Sequence, residues 1–328
     1  MTDTTLEPLD IVLASPRGFC AGVERAIEAV ERALAAFGAP VYVRHEIVHN
    51  ARVCDDLRAK GAVFVEEIDE VPPGSTVIFS AHGVPMRVEA AAEAARHRVI
   101  DATCPLVARV HHGARRYIAE GRHLILIGHR GHVEVEGTLG QVTPHAARPV
   151  AVVASIAEVE ALDWPADERV AYVTQTTLSV NDTRGIIDAI HARWPAAEGP
   201  DTRDICYATQ NRQQAVAAIA GEVDAMIIVG ARNSSNSNRL VEIAEAAGVP
   251  ARLVPSAADL PSAFIDGVRR LGISAGASAP QVIVDEVLAL LARWRALTVT
   301  ERAGVREDVT FRLPRGLGDT LAGKSSAA

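Results

Sequence analysis

The chain has 328 residues, of which 48% are hydrophobic and 23% are charged, and its formal net charge at pH 7 is −8. This length predicts more than one domain of an ordinary globular protein, and no apolar run approaches the roughly 18 residues that would predict a membrane span. The negative net charge disfavours nucleic acid as a partner, and the opening MTDTTLEPLD lacks the basic and apolar regions of a secretory signal, so we expect a cytoplasmic protein with no membrane partner.

Three cysteines each lie where a β-rich run meets a predicted helix. Cys20 lies in IVLASPRGFCAGVERAIEAV, Cys104 in RVIDATCPLVARVHHGARRYI and Cys206 in RDICYATQNRQQAVAAI. The residues that follow each cysteine are apolar at helical spacing, and further strands that end in polar loops follow every copy. Strands that alternate with helices predict parallel sheets, and ligands collect at the carboxyl ends of the strands in such sheets.

The repeat predicts an α/β protein made of three similar α/β units with mostly parallel sheets. We assign residues 1–102, 103–202 and 203–300 to the three units and residues 301–328 to a C-terminal strand and tail, with the N-terminal strand as a candidate to pair with the third unit. Each unit would offer one cysteine to a common centre, where soft thiolates suit an iron–sulfur or zinc site. Three separate core cysteines are the alternative, because free cysteine is often buried, but the repeated position favours a cluster.

The fourth cysteine does not share this position. Cys54 lies in NARVCDDLRAKG, a helical stretch with Asn50 as its N-cap, and it is predicted to be a small buried residue outside the cluster. Three protein ligands would leave one iron of a four-iron cluster open to a substrate, just as catalytic zinc sites keep an open position.

The segment His45-Glu46-Ile47-Val48-His49 matches the H-E-x-x-H pattern of zinc peptidases. In those enzymes the pattern lies in the middle of a helix, so that both histidines share one face. Here Val41–Val43 is predicted as a strand and Asn50 as an N-cap, which leaves the pattern in the connection between them. A zinc hydrolase that uses His45 and His49 is therefore disfavoured, although it stays an alternative, as does a non-catalytic iron–sulfur sensor.

Three histidines, His49, His82 and His132, each follow a predicted strand and are expected to face one cleft. The loop ARNSSNSN precedes a helix and offers hydroxyl, amide and backbone N–H groups, which suit a phosphate; a plain N-cap loop is the alternative. The candidate residues of this loop and of comparable loops are Ser234, Ser235, Asn236, Thr176 and Ser278. No P-loop or dinucleotide fingerprint is present, so the phosphate is predicted to belong to the substrate and electrons to come from a partner protein.

Nine motifs in chain order, from Ile11 to about Leu313, resemble the LytB family of 4-hydroxy-3-methylbut-2-enyl diphosphate reductases. The motifs are PRGFCAGVERAI, YVRHEIVHN, FSAHGVP, DATCPLV, GHVEVEGT, TQTTLS, DICYATQNRQ, NSSNSNRL and AGASAP. The resemblance implies a trefoil of three α/β units around an oxygen-sensitive [4Fe-4S] cluster, one per chain. Cys20, Cys104 and Cys206 match the cluster ligands, and one iron would lack a protein ligand.

The same resemblance implies the substrate and the roles of the site residues. It implies the conversion of (E)-4-hydroxy-3-methylbut-2-enyl diphosphate to isopentenyl and dimethylallyl diphosphates, the last step of the non-mevalonate isoprenoid pathway, with electrons from a protein such as ferredoxin or flavodoxin. Thr176 would approach the substrate hydroxyl and Glu134 would deliver a proton. The diphosphate would be held by His49, His82, His132, Ser234, Ser235, Asn236 and Ser278.

Two features lie outside the family pattern. Val133 stands where family members commonly have proline, which would loosen the loop while leaving His132 and Glu134 in place. The tail after Arg315 carries no motif and is expected to be disordered.

Overall fold

The computed structural model of the protein describes residues 6–317, so residues 318–328 of the tail lie outside the described range. Within it the chain alternates strands and helices almost throughout. The strands are β1 (Pro8–Leu13), β2 (Val41–Arg44), β3 (Ala62–Val65), β4 (Thr76–Phe79), β5 (Arg98–Asp101), β6 (His123–Ile127), β7 (Ala151–Val153), β8 (Val170–Thr174), β9 (Ala225–Val229), β10 (Ala251–Val254), β11 (Arg270–Ala275) and β12 (Ala296–Glu301). The α-helices are α1 (Ala21–Phe37), α2 (Ala51–Ala59), α3 (Met86–Ala94), α4 (Pro105–Ala119), α5 (Val133–Val142), α6 (Ile156–Glu160), α7 (Val180–Arg193), α8 (Tyr207–Ala220), α9 (Ser235–Ala246) and α10 (Gln281–Trp294). Short 3₁₀ helices cover Ile68–Glu70, Thr143–His145, Asp201–Asp204, Ala257–Asp259 and Ser262–Ile265.

The strands form three sheets, in the orders β10-β9-β11-β1-β12, β3-β2-β4-β5 and β7-β6-β8. Their pairings are parallel. Central strands such as TVIF in β4, HLILI in β6 and AMIIV in β9 are buried along their whole length, as expected where helices cover both faces of a sheet. The prediction of an α/β fold with parallel sheets is confirmed.

The chain divides into two compact units, each built from two chain segments. We call residues 1–20 with 207–309 the terminal unit and residues 21–206 with 310–328 the central unit. In the terminal unit, β1 lies between β11 and β12, so that Ile11 pairs with Leu271 on one side and Val299 on the other. Leu9 and Ile11 are fully buried in the same core as β9 and α10.

The central unit contains the four-stranded and the three-stranded sheets. The carboxyl ends of β2 and β4 open into the loops that carry His49 and His82, and those of β6 and β8 open into the loops that carry His132 and Thr176. The amide of Gln141 in α5 donates to the carbonyl of Val84, at 2.8 Å, which joins the loops of the two sheets. No helix of residues 6–317 combines the length and the apolar character that crossing a membrane requires.

Candidate active site

The H-E-x-x-H segment is a loop. It runs from the end of β2 to Asn50, whose side chain accepts a hydrogen bond from the N–H of Val53 and caps α2. His45 bonds Glu66 at 2.9 Å and His49 bonds Glu46 at 3.2 Å, so the two histidines have separate partners. Because a zinc peptidase needs both histidines on one helical face, the zinc hydrolase is not favoured.

Instead, His49 packs with two other histidines of the central unit. The ring centroids of His49 and His82 are 4.2 Å apart in a stacked arrangement, and that of His132 lies 5.6 Å from His49 and 6.5 Å from His82. Ser80 bonds His82 at 3.3 Å. The three loops that follow β2, β4 and β6 therefore bring these predicted residues together.

Two histidines of this cluster, His82 and His132, have lowered pKa values. Burial, followed by the neighbouring rings of His49 and His132, holds the pKa of His82 well below its ordinary value of 6.5. Burial, followed by His49 and His129, lowers the pKa of His132 to about 4. A bound anion would oppose both effects, because opposite charge favours the protonated ring.

The hydrogen bond that His132 accepts determines which of its ring nitrogens carries the proton. Its Nδ1 accepts from the N–H of Glu134, at 3.2 Å, and thereby caps α5. A neutral ring with an accepting Nδ1 carries its proton on Nε2. This Nε2 is buried and has no hydrogen-bond partner within residues 6–317, so it is available to donate to a ligand.

Glu134 is buried beside this cluster and faces Thr176. Its Oε1 accepts from the N–H of Thr176 at 2.6 Å, and its Oε2 accepts from the Thr176 hydroxyl at 2.9 Å. Glu136, two residues further along α5, is exposed. Glu134 therefore binds the loop after β8 and does more than cap the start of its own helix.

The pKa of Glu134 is raised to about 7. Burial is the largest cause; the two bonds from Thr176 oppose it, and the nearby carboxylate of Asp204 adds to it. A carboxyl group with this pKa is present in both protonation states near neutral pH. It can therefore deliver a proton and be reprotonated under the same conditions.

Each of the three repeated cysteines is anchored through its backbone in the same way. The N–H of Cys104 donates to Ala81 at 2.9 Å and that of Cys206 to Thr176 at 3.0 Å, both in the central unit, and that of Cys20 donates to Ala277 at 3.3 Å in the terminal unit. Every acceptor lies two residues beyond the end of a strand, namely β4, β8 and β11. A loop that follows a strand thus anchors the backbone of each cysteine. The prediction of a strand directly before Cys206 is wrong, because residues Asp201–Asp204 form a 3₁₀ helix there.

The three thiols share a chemical setting that suits metal ligation. None of the three forms a disulfide within residues 6–317, all are half-buried, and each lies directly before the first residue of α1, α4 or α8. A helix N-terminus favours the thiolate. Within residues 6–317 no three His, Cys, Asp or Glu side chains are grouped around a position for a single metal ion, but each cysteine of a four-iron cluster binds a different iron and does not require such a grouping.

Cys54 has different surroundings. It is buried in α2, its thiol donates weakly to the carbonyl of Val48 at 3.8 Å, and burial raises its pKa to about 11. A thiol that stays protonated at neutral pH is a poor metal ligand. The prediction that Cys54 is a buried residue of a helix is confirmed.

The serine and asparagine loop lies at the start of α9 in the terminal unit. Ser234 is the N-cap, and its hydroxyl accepts from the N–H and the hydroxyl of Ser237. The amide of Asn236 donates to Thr209 at 3.3 Å, and its oxygen accepts from the N–H of Ala277 at 2.8 Å. This places Asn236 against the loop that anchors Cys20 and continues into Ser278, which is buried.

Several residues of these arrangements were not predicted. Ser80 and Glu46 orient two of the histidines, Thr209 supports Asn236, and Asp204 is buried, where it accepts from Thr174 at 3.4 Å. All four lie inside sequence motifs, but the motifs alone do not show what these side chains contact. The bonds of Thr209 and Asp204 join segments 27 and 30 positions apart.

Known proteins share this arrangement over nearly the whole chain. The model of the family described as LytB protein matches residues 11–292. A 4-hydroxy-3-methylbut-2-enyl diphosphate reductase of Aromatoleum aromaticum is 56% identical over 312 residues, which cover 95% of this chain and 99% of that protein. The protein of the same name from Pseudomonas aeruginosa is 53% identical over 309 residues, or 94% of this chain and 98% of that protein.

Solved structures give the same result. The structure of the E-1-hydroxy-2-methyl-but-2-enyl-4-diphosphate reductase from Plasmodium falciparum matches with a TM-score of 0.89 at 35% identity, over 97% of this chain and 99% of that chain. A structure titled as (E)-4-hydroxy-3-methyl-but-2-enyl diphosphate reductase, the terminal enzyme of the non-mevalonate pathway, matches with a TM-score of 0.62 at 35% identity, over 87% and 99% of the two chains. The chain therefore belongs to the LytB protein family.

Proposed function

We propose that this protein reduces (E)-4-hydroxy-3-methylbut-2-enyl diphosphate to isopentenyl and dimethylallyl diphosphates, as the terminal enzyme of the non-mevalonate pathway. Relatives that are 53–56% identical carry the name of this reductase. The observation that carries the proposal is the pair of Glu134 and Thr176 beside three histidines. This site combines a buried proton donor with side chains that can bind an anion. A substrate with both a hydroxyl group and a diphosphate needs both.

The histidines would hold the diphosphate through N–H donors. Buried imidazoles of low basicity gain most from a nearby anion, which favours their protonated form. The Nε2 of His132 has no protein partner within residues 6–317 and would gain one. The hydroxyl, amide and backbone N–H groups at the start of α9 would act in the same way. The proposed ligands are His49, His82, His132, Ser234, Ser235, Asn236 and Ser278.

The reaction consumes two electrons and two protons. The bond between C4 and the hydroxyl oxygen breaks, one proton leaves with the oxygen as water, and the other forms the new C–H bond of the product. Hydroxide is a poor leaving group, so a positioned acid is needed as the C–O bond breaks. We assign this role to Glu134, with the Thr176 hydroxyl as the group that approaches the substrate oxygen and relays the proton.

Cys20, Cys104 and Cys206 would hold one [4Fe-4S] cluster with one iron free of protein ligands. Their shared position directly before a helix and their half-burial support this assignment. When bound, the cluster would supply electrons that it receives one at a time from a donor protein such as ferredoxin or flavodoxin. The protein's own part is to hold the thiols, bind the diphosphate and deliver the proton.

The test of the function is turnover of the diphosphate by protein purified and assayed without oxygen, with a chemical or protein reductant. We expect both isoprenyl diphosphates as products and much weaker binding of the free alcohol, because each buried donor left unpaired costs on the order of 1–3 kcal/mol. The matched comparison is the monophosphate analogue at the same concentration. Equal turnover of the alcohol and the diphosphate would contradict the proposed role of the histidines and the serine loop.

The ligand assignment predicts a difference among the four cysteines. Replacement of Cys20, Cys104 or Cys206 by Ser should remove or cripple the cluster, because serine is a harder and much less acidic ligand. Cys54→Ser should retain iron and sulfide at the wild-type ratio, because Cys54 is a buried thiol of α2. Iron and sulfide analysis and the EPR spectrum of the four variants provide the measurement. Loss of the cluster in Cys54→Ser alone would show that the ligands are wrongly assigned.

A further inference from the structure

Three arginines have similar positions in the chain relative to the three repeated cysteines. Each lies early in the helix that follows one cysteine and donates to backbone carbonyls just before the next cysteine. Arg25 of α1 donates to Ala102 and Thr103, ahead of Cys104. Arg109 of α4 donates to the carbonyl of Arg203, ahead of Cys206. Arg212 of α8 donates to Gly18 and Phe19, ahead of Cys20. The arginine that follows the third cysteine thus binds the residues before the first cysteine.

Arg212 uses all of its hydrogen-bonding capacity within the terminal unit. It is fully buried, and its Nε donates to Gly18 at 2.9 Å while Nη2 donates to Phe19 at 3.0 Å. Nη1 donates to Ala208 at 2.8 Å and to Glu307 at 3.0 Å, and Nη2 reaches the other oxygen of Glu307 at 3.3 Å. Since a guanidinium has five N–H groups, each of them has a partner here.

Arg25 makes the corresponding contacts within the central unit. Its Nη1 donates to the carbonyls of Ala102 and Thr103, both at 3.0 Å, and its Nε donates to the carbonyl of Arg312 at 2.7 Å. The N–H of Thr103 in turn donates to Asp101 at 2.9 Å. The two peptide groups before Cys104 are therefore held on both their donor and their acceptor sides.

The segment after β12 provides a partner to two of the three arginines. Residues 302–314 form no helix or strand, yet Glu307 binds Arg212 and the carbonyl of Arg312 binds Arg25. The side chain of Glu307 also accepts from Asn211 at 2.9 Å and is only 14% exposed. This segment lacks regular structure but is held at two points, the largely buried side chain of Glu307 and the backbone carbonyl of Arg312.

We propose that Arg25, Arg109 and Arg212 are positioning residues that fix the cysteine-bearing turns for the cluster, and that residues 302–314 hold two of them in place. The inference rests on the proposed function, since the cysteines must be cluster ligands. Arg212 and Arg25 bond the carbonyls one and two residues before Cys20 and Cys104. We call each such set of bonds a clamp, and it restricts the backbone rotations that orient the thiol. Loss of a clamp should therefore allow a cysteine to swing away from its iron.

The first experiment compares Glu307→Gln with Asp308→Asn. Both remove one negative charge, but Glu307 binds the buried Arg212, whereas Asp308 forms an ion pair with Arg306 in which the two side chains, Arg306 and Asp308, are 89% and 76% exposed. Cluster loss is followed under anaerobic conditions by the iron released to a chelator, at a temperature where circular dichroism of the apoprotein reports a folded chain. We expect Glu307→Gln to release iron about tenfold faster than wild type, the factor that corresponds to one lost charge-assisted hydrogen bond, and Asp308→Asn to match wild type.

The second experiment tests the central unit and does not depend on the folding of the first variant. Arg25→Lys keeps the charge but cannot donate to two carbonyls and Arg312 in the same fork geometry. Arg32→Lys is the control, because Arg32 lies on the same helix and bonds Glu28, one turn away on that helix. We expect Arg25→Lys to lose iron faster than Arg32→Lys and to change the EPR line shape of the reduced cluster, which a loss of fold stability alone would not alter.

The outcomes separate the two proposals. A wild-type chain that holds no iron–sulfur cluster after anaerobic reconstitution would overturn the proposed function itself. A wild-type cluster with the same release rate and EPR spectrum in Glu307→Gln, Arg25→Lys and their controls would overturn the clamp and leave the function intact. Faster release in both test variants, with folded apoproteins and unchanged controls, supports the clamp.

Discussion

Glu134 has the most unusual environment of the proposed site residues. Its carboxylate is 2% exposed, yet it receives two hydrogen bonds from Thr176. Those bonds favour the charged form, whereas burial and the nearby Asp204 favour the neutral form. Burial is the larger effect, so the pKa of Glu134 is raised to about 7. With this pKa, Glu134 can both donate and accept a proton near neutral pH.

At this scale we predict that Glu134→Gln reduces kcat by about 10²–10⁴-fold, because a general acid contributes that much to a step that needs protonation. KM should change little, since glutamine keeps the size and an acceptor for Thr176. The matched control is Glu136→Gln, which lies on the exposed side of the same helix and should stay within a few-fold of wild type. Anaerobic steady-state kinetics with equal cluster content is the measurement.

The pH profile gives a second readout of the same variants. An acid acts in its protonated form, which is present below a pKa of about 7 and is lost as the pH rises through it. The kcat of wild type and of Glu136→Gln should therefore fall above that pH, and Glu134→Gln should lack this limb. Normal turnover by Glu134→Gln would show that another group donates the proton. A wild-type protein that binds a cluster but has no reductase activity would favour the alternative of a non-catalytic iron–sulfur sensor.

At the scale of elements, the start of α9 depends on two glycines that allow close packing. A Cβ atom at Gly230 would lie 2.2 Å from the hydroxyl of Ser237, and one at Gly276 would lie 2.1 Å from it. Ser237 is fully buried and bonds the N-cap Ser234. The loops after β9 and β11 can therefore approach the helix only because they lack side chains at these points. The position of the serine and asparagine groups follows from that approach.

We predict that Gly230→Ala destabilises the protein by roughly 1–3 kcal/mol, because overpacking forces the helix and its N-cap to move. Gly221→Ala is the control, since a Cβ there meets no atom within 4 Å and should change stability by no more than about 0.5 kcal/mol. The measurement is the free energy of unfolding in denaturant, with the affinity for inorganic diphosphate as a second readout. Equal stability of the two variants would contradict the close packing at the start of α9.

At the scale of the whole molecule, the terminal unit joins two stretches of chain that are far apart in sequence. Strand β1 lies inside a sheet whose other strands all come from residues 225–301. Its residue Ile11 is fully buried, whereas Val299, which pairs with it on β12, is 47% exposed. The stability of this sheet therefore depends on a strand at the other end of the chain.

We expect Ile11→Ala to cost about 2–5 kcal/mol, as large-to-small changes in a core do, and Val299→Ala to cost much less. The effect should extend to the partners of β1, so hydrogen exchange should accelerate in peptides from β9 and β11 as well as in β1 itself. Mass spectrometry of the exchanged, digested protein measures this. Faster exchange limited to residues 6–20 would contradict the dependence of the sheet on β1.

The sequence by itself determined the local structure and the family. The helices after the three cysteines, the strands before Cys20 and Cys104 and the N-cap at Asn50 are visible in it because helices and strands repeat over neighbouring residues. Together with the predicted strand at Val41–Val43, that N-cap disfavoured a helical H-E-x-x-H segment. The motifs identified the family, and they also named Glu134 and Thr176, whose assigned roles stay predictions.

Only the tertiary structure decided which groups are buried and which meet across the chain. The bonds from Thr176 to Glu134 span 42 positions, and those from Arg212 to Glu307 and Gly18 span 95 and 194. No periodic pattern predicts such pairs, and the sequence does not show which carbonyls the three arginines bind. The reason is physical: the pKa of Glu134 and the partners of Arg212 depend on burial and on long-range packing, which arise only when distant segments fold against one another.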